Sequence, residues 1–290
     1  MPAARNKSVL VTGANSGIGL VTCLELAGAG WDVIGSSRTA ARAALLQEAA
    51  TARGLTLRTV LLDVDDATSC AAAVAEVEEL TGGLTALVNN AGFARSGAVE
   101  DVTDEQVRAQ LETNVVAPMR LARLVLPGMR ERGGGRIVNI SSIAGRTSIP
   151  LMGWYAASKH ALEAVTDALR IEVEADNVKV ALVEPGMFAT QVWSAAQEGG
   201  FPVASTDRYA AAYAHGQALG ARSNSLPDPV WVARTVRLAL TNPVPLPRYV
   251  IGADAVGGLL LQAVLPTSVV DYLKGTGAGL RRGRRLPFLR

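Results

Sequence analysis

The sequence predicts an α/β fold: a doubly wound parallel sheet of about seven strands with helices on both faces. Three observations predict it. Short β-branched runs alternate with helically spaced apolar residues from Ser8 to Glu184. A glycine-rich turn joins the first strand to the first helix. The other small and polar motifs fall at strand C-terminal ends, where open α/β sheets bind ligands.

Residues 8–12, SVLVT, read as a buried strand. Residues 13–19, GANSGIG, follow, and apolar residues then recur at helical spacing to Gly28 and Gly30. In this context Gly13, Gly17 and Gly19 let the backbone approach a pyrophosphate, whose charge the helix N-terminus favours. The turn thus makes Asn15, Ser16 and Ile18 candidate cofactor neighbours too. The spacing GxxxGxG differs from GxGxxG, and no Gly-Lys-Ser/Thr closes it as in a P-loop. An ordinary tight turn is the alternative reading.

Residues 32–37 are the second strand, ending at Ser37 and Arg38. An NAD enzyme usually places a carboxylate here, on the ribose diol; Arg38 suits a 2′-phosphate, favouring NADP(H) over NAD(H). A solvated Arg opening the next helix is the bland alternative. An Ala-rich helix spans 39–53 and a third strand 55–62. Asp63 and Val64 follow; Asp63 either meets a ligand or caps the helix of residues 66–80. Residues 85–92, TALVNNAG, are a fourth strand whose end, Asn90, Ala91 and Gly92, leaves room for a ligand.

Thr103 and Gln106 form a capping-box pattern opening a long helix that contains Asn114. Pro118 has no N–H for the carbonyl of Asn114, so the helix should be kinked or loosened there. Asn114 is either a tolerated helical Asn or the holder of a water near Lys159. Residues 135–141 are the fifth strand, delivering Ser142. A helix from Trp154 to about residue 175 carries an apolar stripe and a small one, Ala157, Ala161, Ala164 and Ala168. Either the sheet or a second subunit takes the small face. Residues 178–184 are the sixth strand, ending in Pro185 and Gly186.

Residues 187–227 are irregular and read as a lid, with short helices at 190–197 and 207–219. Asp228 and Pro229 open a helix to Leu240, and 248–252 form the last strand. Residues 253–290 are a C-terminal extension, and the whole chain, 1–290, reads as one domain. Crossovers should be right-handed.

Tyr155 and Lys159 are four residues apart on one helix face. A free phenol, with pKa about 10, is a poor proton carrier near neutrality; an adjacent ammonium lowers that value. Ser141 or Ser142 could hydrogen-bond the oxygen that the phenol meets. This is the chemistry of carbonyl reduction and alcohol oxidation, with hydride from a cofactor. Alone, the pair more often means a half-buried Tyr beside a solvated Lys.

Net charge is only +2, which excludes a strong pull toward nucleic acid. Cys23 and Cys70 are not spaced as a metal or redox pair, and His160 and His215 have no metal-like partners. No signal-peptide pattern opens the chain, so a cytoplasmic protein is expected. The longest apolar run, residues 255–265, is too short for a membrane span of about 20 residues. Arg281, Arg282, Arg284 and Arg285 form a basic segment, either a solvated tail or a contact with an anionic surface.

Together these motifs resemble the short-chain dehydrogenase/reductase family, over about residues 8–190. The matching pieces are residues 12–19, Asp63-Val64, residues 89–92, Asn114, Ser142, Tyr155 with Lys159, and Pro185-Gly186. The stretch around Tyr155 looks most like the steroid and retinol dehydrogenase branch. The resemblance implies a Rossmann-type fold and a tetrad. Tyr155 would be the general acid/base. Lys159 would lower its pKa and hold the nicotinamide ribose, Ser142 would orient the substrate oxygen, and Asn114 would hold a relay water. Gly13, Gly17 and Gly19 would line the pyrophosphate, with Asp63 and Val64 at the adenine, Asn90 at the ribose and Thr190 at the nicotinamide amide. It also implies a homodimer or homotetramer built on helices near 104–131 and 154–175.

The expected activity is an NADP-dependent interconversion of ketone and secondary alcohol. Phe93, Met152, Trp154, Met187, Trp193 and the lid aromatics suggest an apolar substrate, steroid-, retinoid- or aromatic-ketone-like, unless several of them are core. The alternatives are an idle NADP-binding sensor or scaffold and an NAD-dependent alcohol dehydrogenase.

Overall fold

In the computed structural model, residues 7–189, 208–220 and 226–280 are described. β1 (Ser8–Val11), β2 (Asp32–Ser37), β3 (Arg58–Leu61), β4 (Ala86–Asn89), β5 (Gly135–Ile140), β6 (Val178–Pro185) and β7 (Arg248–Ile251) form one sheet. All neighbours are parallel, in the order β3-β2-β1-β4-β5-β6-β7. The order reverses between β1 and β4, and a crevice opens there beyond the strand ends.

Strand alternation builds two cores. Val9, Val11, Val33, Val88 and Val138 face one side, against α1 (Gly17–Gly28) and α2 (Ala40–Thr51). Leu10, Ile34, Leu87 and Ile137 face the other, against α3 (Ala67–Thr81) and α5 (Ala117–Glu131). α6 (Gly153–Glu172) lies on this second side, its Leu169 packed into that core. Strand side chains point alternately up and down, so each strand feeds both layers.

The β6–β7 connection departs from the expected handedness. Its helix, α8 (Val230–Thr241), puts Val232 and Val236 into the core shared with α1. β7 nevertheless continues in the same direction across the sheet as β5 and β6, whose helices lie on the opposite face. That connection is therefore opposite in hand to the others. The handedness rule describes short strand–helix–strand units; this connection is long and crosses the sheet's C-terminal edge first. It includes α7 (Ala210–Gly220), close to the helix expected at 207–219. The helix expected at 190–197 lies outside the described residues.

α4 (Asp104–Leu111) opens on the expected capping box, Thr103 with Gln106. Residues Glu112–Val116 then widen into a π-turn, with Ala117 N–H donating to the Glu112 carbonyl five residues back. The loosening expected at Asn114 is thus a single wide turn. Pro118 explains why an α-helical bond cannot replace it.

β7 also completes a buried charge network. Arg248 Nε donates to Glu163 Oε2 at 2.9 Å and lies 3.2 Å from Glu184 Oε1, and its other arm pairs with Asp167. Glu184 is fully buried. Burial, then the Glu163 carboxylate, push its carboxyl up to about 7, against the pull of Arg146 and Arg248. A carboxyl raised in the native state holds stability below its unfolded value, near 4.5, that is lost as pH rises through about 7. Glu184→Gln should flatten this fall. Urea unfolding between about pH 5 and pH 8 should show the wild type losing on the order of 2–3 kcal/mol more than the variant. Equal slopes would show that Glu184 does not titrate in that window.

Candidate active site

The glycine turn is shaped by close approaches. Gly13 and Gly17 have φ of 63° and 52°, and the left-handed region favours glycine. A Cβ at Gly19 would lie 2.3 Å from the Gly13 carbonyl oxygen and 2.5 Å from Asn90 Nδ2. A Cβ at Gly13 would lie 3.0 Å from Ala91 Cα. Ser16 occupies the N-cap of α1 in extended conformation, and its side chain makes no capping bond. The first N–H groups of α1 therefore keep their capacity for an anion. Asn15 is half-buried in the turn and Ile18 packs onto the core behind it.

β4 braces this turn. Thr12 Oγ1 accepts from the N–H groups of Asn90 and Ala91, both at 2.9 Å. Asn90 Nδ2 donates to the Thr12 and Gly13 carbonyls at 2.8 and 3.2 Å. The Asn90 amide, expected at a ribose, is thus spent on the backbone of the turn. Thr12 was not singled out as a site residue; only the paired strands reveal its bridging.

The edge at β2 and β3 holds the other cofactor candidates. Ser37 is buried, its hydroxyl on the Thr39 carbonyl. Arg38 is exposed and makes no ion pair among the described residues. Asp66, not Asp63, caps α3, its Oδ1 accepting from Thr68 N–H at 2.8 Å. Asp63 stays half-buried at the end of β3, and Val64 beside it is buried.

The tetrad candidates converge beyond the C-terminal ends of β4 and β5. Lys159 is buried, its Nζ 2.9 Å from the Ile140 carbonyl and 5.9 Å from the centroid of the Tyr155 ring. Asn114 Nδ2 donates to the Phe93 carbonyl at 2.9 Å and to Ser158 Oγ at 3.0 Å, while Oδ1 accepts from Phe93 N–H at 3.1 Å. A Cβ at Gly92 would meet Asn114 Oδ1 at 3.0 Å and Lys159 Nζ at 3.8 Å, so Asn114, Gly92 and Lys159 enclose one small space.

The two serines separate. The Ser142 hydroxyl stands close enough to the Tyr155 phenol to favour its ionised form, and its Oγ accepts from Ala144 N–H at 3.1 Å. Ser141 Oγ is buried without a partner among the described residues, beside Gly145 and Glu163.

The electrostatics differ from the simple expectation. Burial raises the Tyr155 phenol, and Ser142, rather than Lys159, opposes that rise. The Lys159 ammonium donates to the Ile140 carbonyl. Burial lowers Lys159 to about 8, while the Glu163 carboxylate raises it. Glu163 stands four residues after Lys159 on the same helix face, a spacing visible in the sequence whose effect depends on both groups being buried.

At the end of β6, buried Pro185 precedes Gly186, whose Cβ would lie 2.3 Å from Asp254 Oδ1. The missing side chain lets Asp254 Oδ2 accept from Met187 N–H at 2.7 Å. Thr190, Trp193 and Phe201 lie outside the described residues. Several aromatics expected at a pocket do other work. Phe188 is core, Tyr213 donates to Asp101 and accepts from Ala98 N–H at 2.8 Å, and Tyr209 bonds Glu100. Phe93 and Trp154 are half-buried at the edge, Met152 is buried and Met187 is exposed. His160 and His215 bond the Ala156 and Gly277 carbonyls. Among the described residues no group of side chains is arranged to hold a metal.

The family model described as short chain dehydrogenase matches residues 7–199. The chain belongs to the short-chain dehydrogenase family. It is an oxidoreductase with the Rossmann-type sheet described above. It is 36% identical to an uncharacterized oxidoreductase, YusZ, of Bacillus subtilis, over 92% of this chain and 96% of that one. It is 38% identical to the NADPH-dependent 3-dehydrocapnine reductase of Ornithobacterium rhinotracheale, over 68% of this chain and 71% of that one. Among solved structures, a variant of actinorhodin polyketide ketoreductase with NADPH superposes with a TM-score of 0.73. That likeness is at 30% identity and covers 88% of this chain and 99% of that one.

A short-chain dehydrogenase needs a nicotinamide cofactor, and the glycine cradle fits one: its approaches exclude even a methyl group, and α1 offers uncapped N–H groups. Gly19→Ala forces a methyl group against the backbone of the turn. Fluorescence titration should show dinucleotide affinity falling more than tenfold, with a lowered Tm. Unchanged affinity would show that the turn yields without cost.

Proposed function

We propose that the protein is an NADP-dependent reductase that interconverts a ketone and a secondary alcohol on an apolar substrate. One observation carries the reading: Ser142, Tyr155 and Lys159 meet at the C-terminal strand edge, beside the glycine turn and Asn114. When bound, the reduced nicotinamide supplies hydride. Gly13, Gly17 and Gly19 with the N-terminus of α1 would hold the pyrophosphate, and Asp63, Val64, Ala91, Pro185 and Gly186 would border the cofactor.

Ser142 orients the carbonyl oxygen by hydrogen bonding, and the Tyr155 phenol gives that oxygen its proton. A phenol raised by burial holds its proton at neutral pH, which suits the reducing direction. Lys159 supplies positive charge beside the ring as phenolate develops, and Asn114 ties the Phe93 backbone to α6 through Ser158.

Arg38 is exposed and unpaired among the described residues, at the end of β2, which supports a 2′-phosphate partner. The NADPH dependence of the 3-dehydrocapnine reductase, a relative, supports the same choice. Half-buried Phe93 and Trp154 support an apolar substrate of the steroid, retinoid or aromatic-ketone kind. The small face of α6 supports an oligomer. Ala157, Ala164 and Ala168 are exposed rather than turned to the sheet, and a groove beside them is lined by Met119, Arg123 and Leu126 of α5. We take the assembly to be a homodimer or homotetramer. The cysteines are buried free thiols, in keeping with a cytoplasmic location. No helix among the described residues is long and apolar enough to cross a membrane.

Tyr155→Phe should cut ketone turnover by about 10²–10⁴-fold and leave NADPH affinity within about twofold, as read by titration and a panel of steroid, aromatic and aliphatic ketones. Binding by both proteins with no turnover of any ketone by the wild type would count against the reductase. Arg38→Asp should weaken NADPH binding by about 10–100-fold and spare NADH. Unchanged NADPH affinity would remove the cofactor argument.

A further inference from the structure

The last two described helices form a hairpin, α9 (Ala253–Val264) and α10 (Thr267–Gly277), beside the strand edge that bears the site. Several bonds tie it there. Asp254 holds the Met187 N–H just past Gly186. Gln262 Nε2 donates to the Arg146 carbonyl at 3.1 Å, and Lys274 Nζ donates to Thr147 Oγ1 at 2.5 Å. Thr147 follows Ser142 by five residues.

The outer face of α9 is apolar and uncovered. Val256, Leu260 and Val264 stand at i, i+4 and i+8 and are 46%, 61% and 79% exposed. Leu261 flanks this stripe, and Leu273 and Leu280 extend the exposed apolar surface onto α10 and beyond. Gln262, which faces the loop of Arg146 and Thr147, lies on the opposite side of an ideal helix. The exposure is therefore the consequence of how the hairpin is anchored. Scattered single apolar residues need no explanation, but a continuous stripe does.

The sequence that follows says what covers it. Residues 281–290, RRGRRLPFLR, hold five arginines, no acid and three large apolar residues. These residues lie outside the described ones, but their sequence adds dense positive charge to a chain that has just exposed an apolar face, a pairing that matches acyl chains and anionic headgroups. At twelve residues α9 is far too short to span a bilayer, so it would lie on one.

We propose that the outer face of α9 docks the protein on an anionic lipid bilayer, the charge of the sequence that follows α10 setting the choice of lipid, and that the substrate is an apolar carbonyl compound drawn from that bilayer. The second half rests on the reductase reading above. The hairpin's bonds at Met187, Arg146 and Thr147 hold α9 against the catalytic edge, so the docking face on its far side lies one helix diameter, ~10 Å, from that edge.

Purified full-length chain should cosediment with vesicles of phosphatidylcholine and phosphatidylglycerol. Binding should be more than tenfold weaker to phosphatidylcholine alone or at high salt. Leu260→Glu with Val264→Glu, and separately Arg281, Arg282, Arg284 and Arg285→Ser, should each lower binding more than tenfold with Tm and NADPH affinity unchanged. Equal binding to both vesicle types, or full binding by the Leu260/Val264 variant, overturns the docking surface. So does a wild type that ignores vesicles while light scattering shows the Leu260/Val264 variant losing a dimer, the mark of a second copy on the stripe. Docking is read without turnover, so an idle enzyme that still binds vesicles would fail the reductase reading alone. Given an active enzyme, turnover of a long-chain ketone in anionic vesicles should fall with the docking variants while turnover of a water-soluble ketone does not. An equal effect on both ketones overturns the lipid-borne substrate.

Discussion

Lys159 is a cation taken out of water, and much of the catalytic side of the molecule compensates for it. Burial alone drives its ammonium toward neutrality. The Ile140 carbonyl at the end of β5 accepts one of its protons, and Glu163, one turn along α6, supplies opposing charge. That carboxylate is itself buried and needs a partner. Arg248 provides one from β7, the last strand in the chain, and Arg248 also reaches Glu184 in β6 and Asp167 in α6. A charge placed for chemistry thus reaches across the sheet to its far edge. It explains why residues so far apart in sequence as 159 and 248 belong to one electrostatic unit.

The same logic of local cost met by distant support runs through the glycine turn. Three glycines remove side chains from a crowded corner, and removal alone would leave a floppy loop. Thr12 and Asn90 restore order by fastening the ends of β1 and β4 to each other and to the turn. The crevice is therefore rigid where a pyrophosphate would sit. The π-turn at Asn114 is a second such case. Pro118 removes an α-helical donor, and the wider turn that results carries an amide engaging Phe93 and Ser158 at once.

What could be read from the sequence was what is local. Strand runs, the glycine turn, the capping box at Thr103 and the Tyr155–Lys159 spacing each depend on a few neighbouring residues, and each appears close to where it was expected. What could not be read depends on contacts across the chain. Ser141 and Ser142 are chemically alike, and only the packed fold decides which one stands near the phenol. Tyr209 and Tyr213 looked like pocket aromatics because nothing nearby showed Glu100 and Asp101 waiting more than a hundred residues earlier. The opposite hand of the β6–β7 connection was hidden for the same reason, since a rule for short crossovers does not govern a long excursion over the strand ends.

The excursion also explains why Gly186 matters beyond its place in a motif. It sits where the chain leaves β6 for the substrate side, and any side chain there would collide with Asp254. Asp254 starts α9 and holds the Met187 N–H, so the first step of the substrate segment is fixed by the C-terminal hairpin rather than by the sheet. The hairpin is in turn fastened to the loop after Ser142 through Gln262 and Lys274. One element therefore touches both walls of the substrate side. A shift of α9 would move Met187 and Thr147 together, whereas the glycine turn, braced by β1 and β4, would stay in place. On the proposed reading, the cofactor half of the site would belong to the sheet and the substrate half to the hairpin.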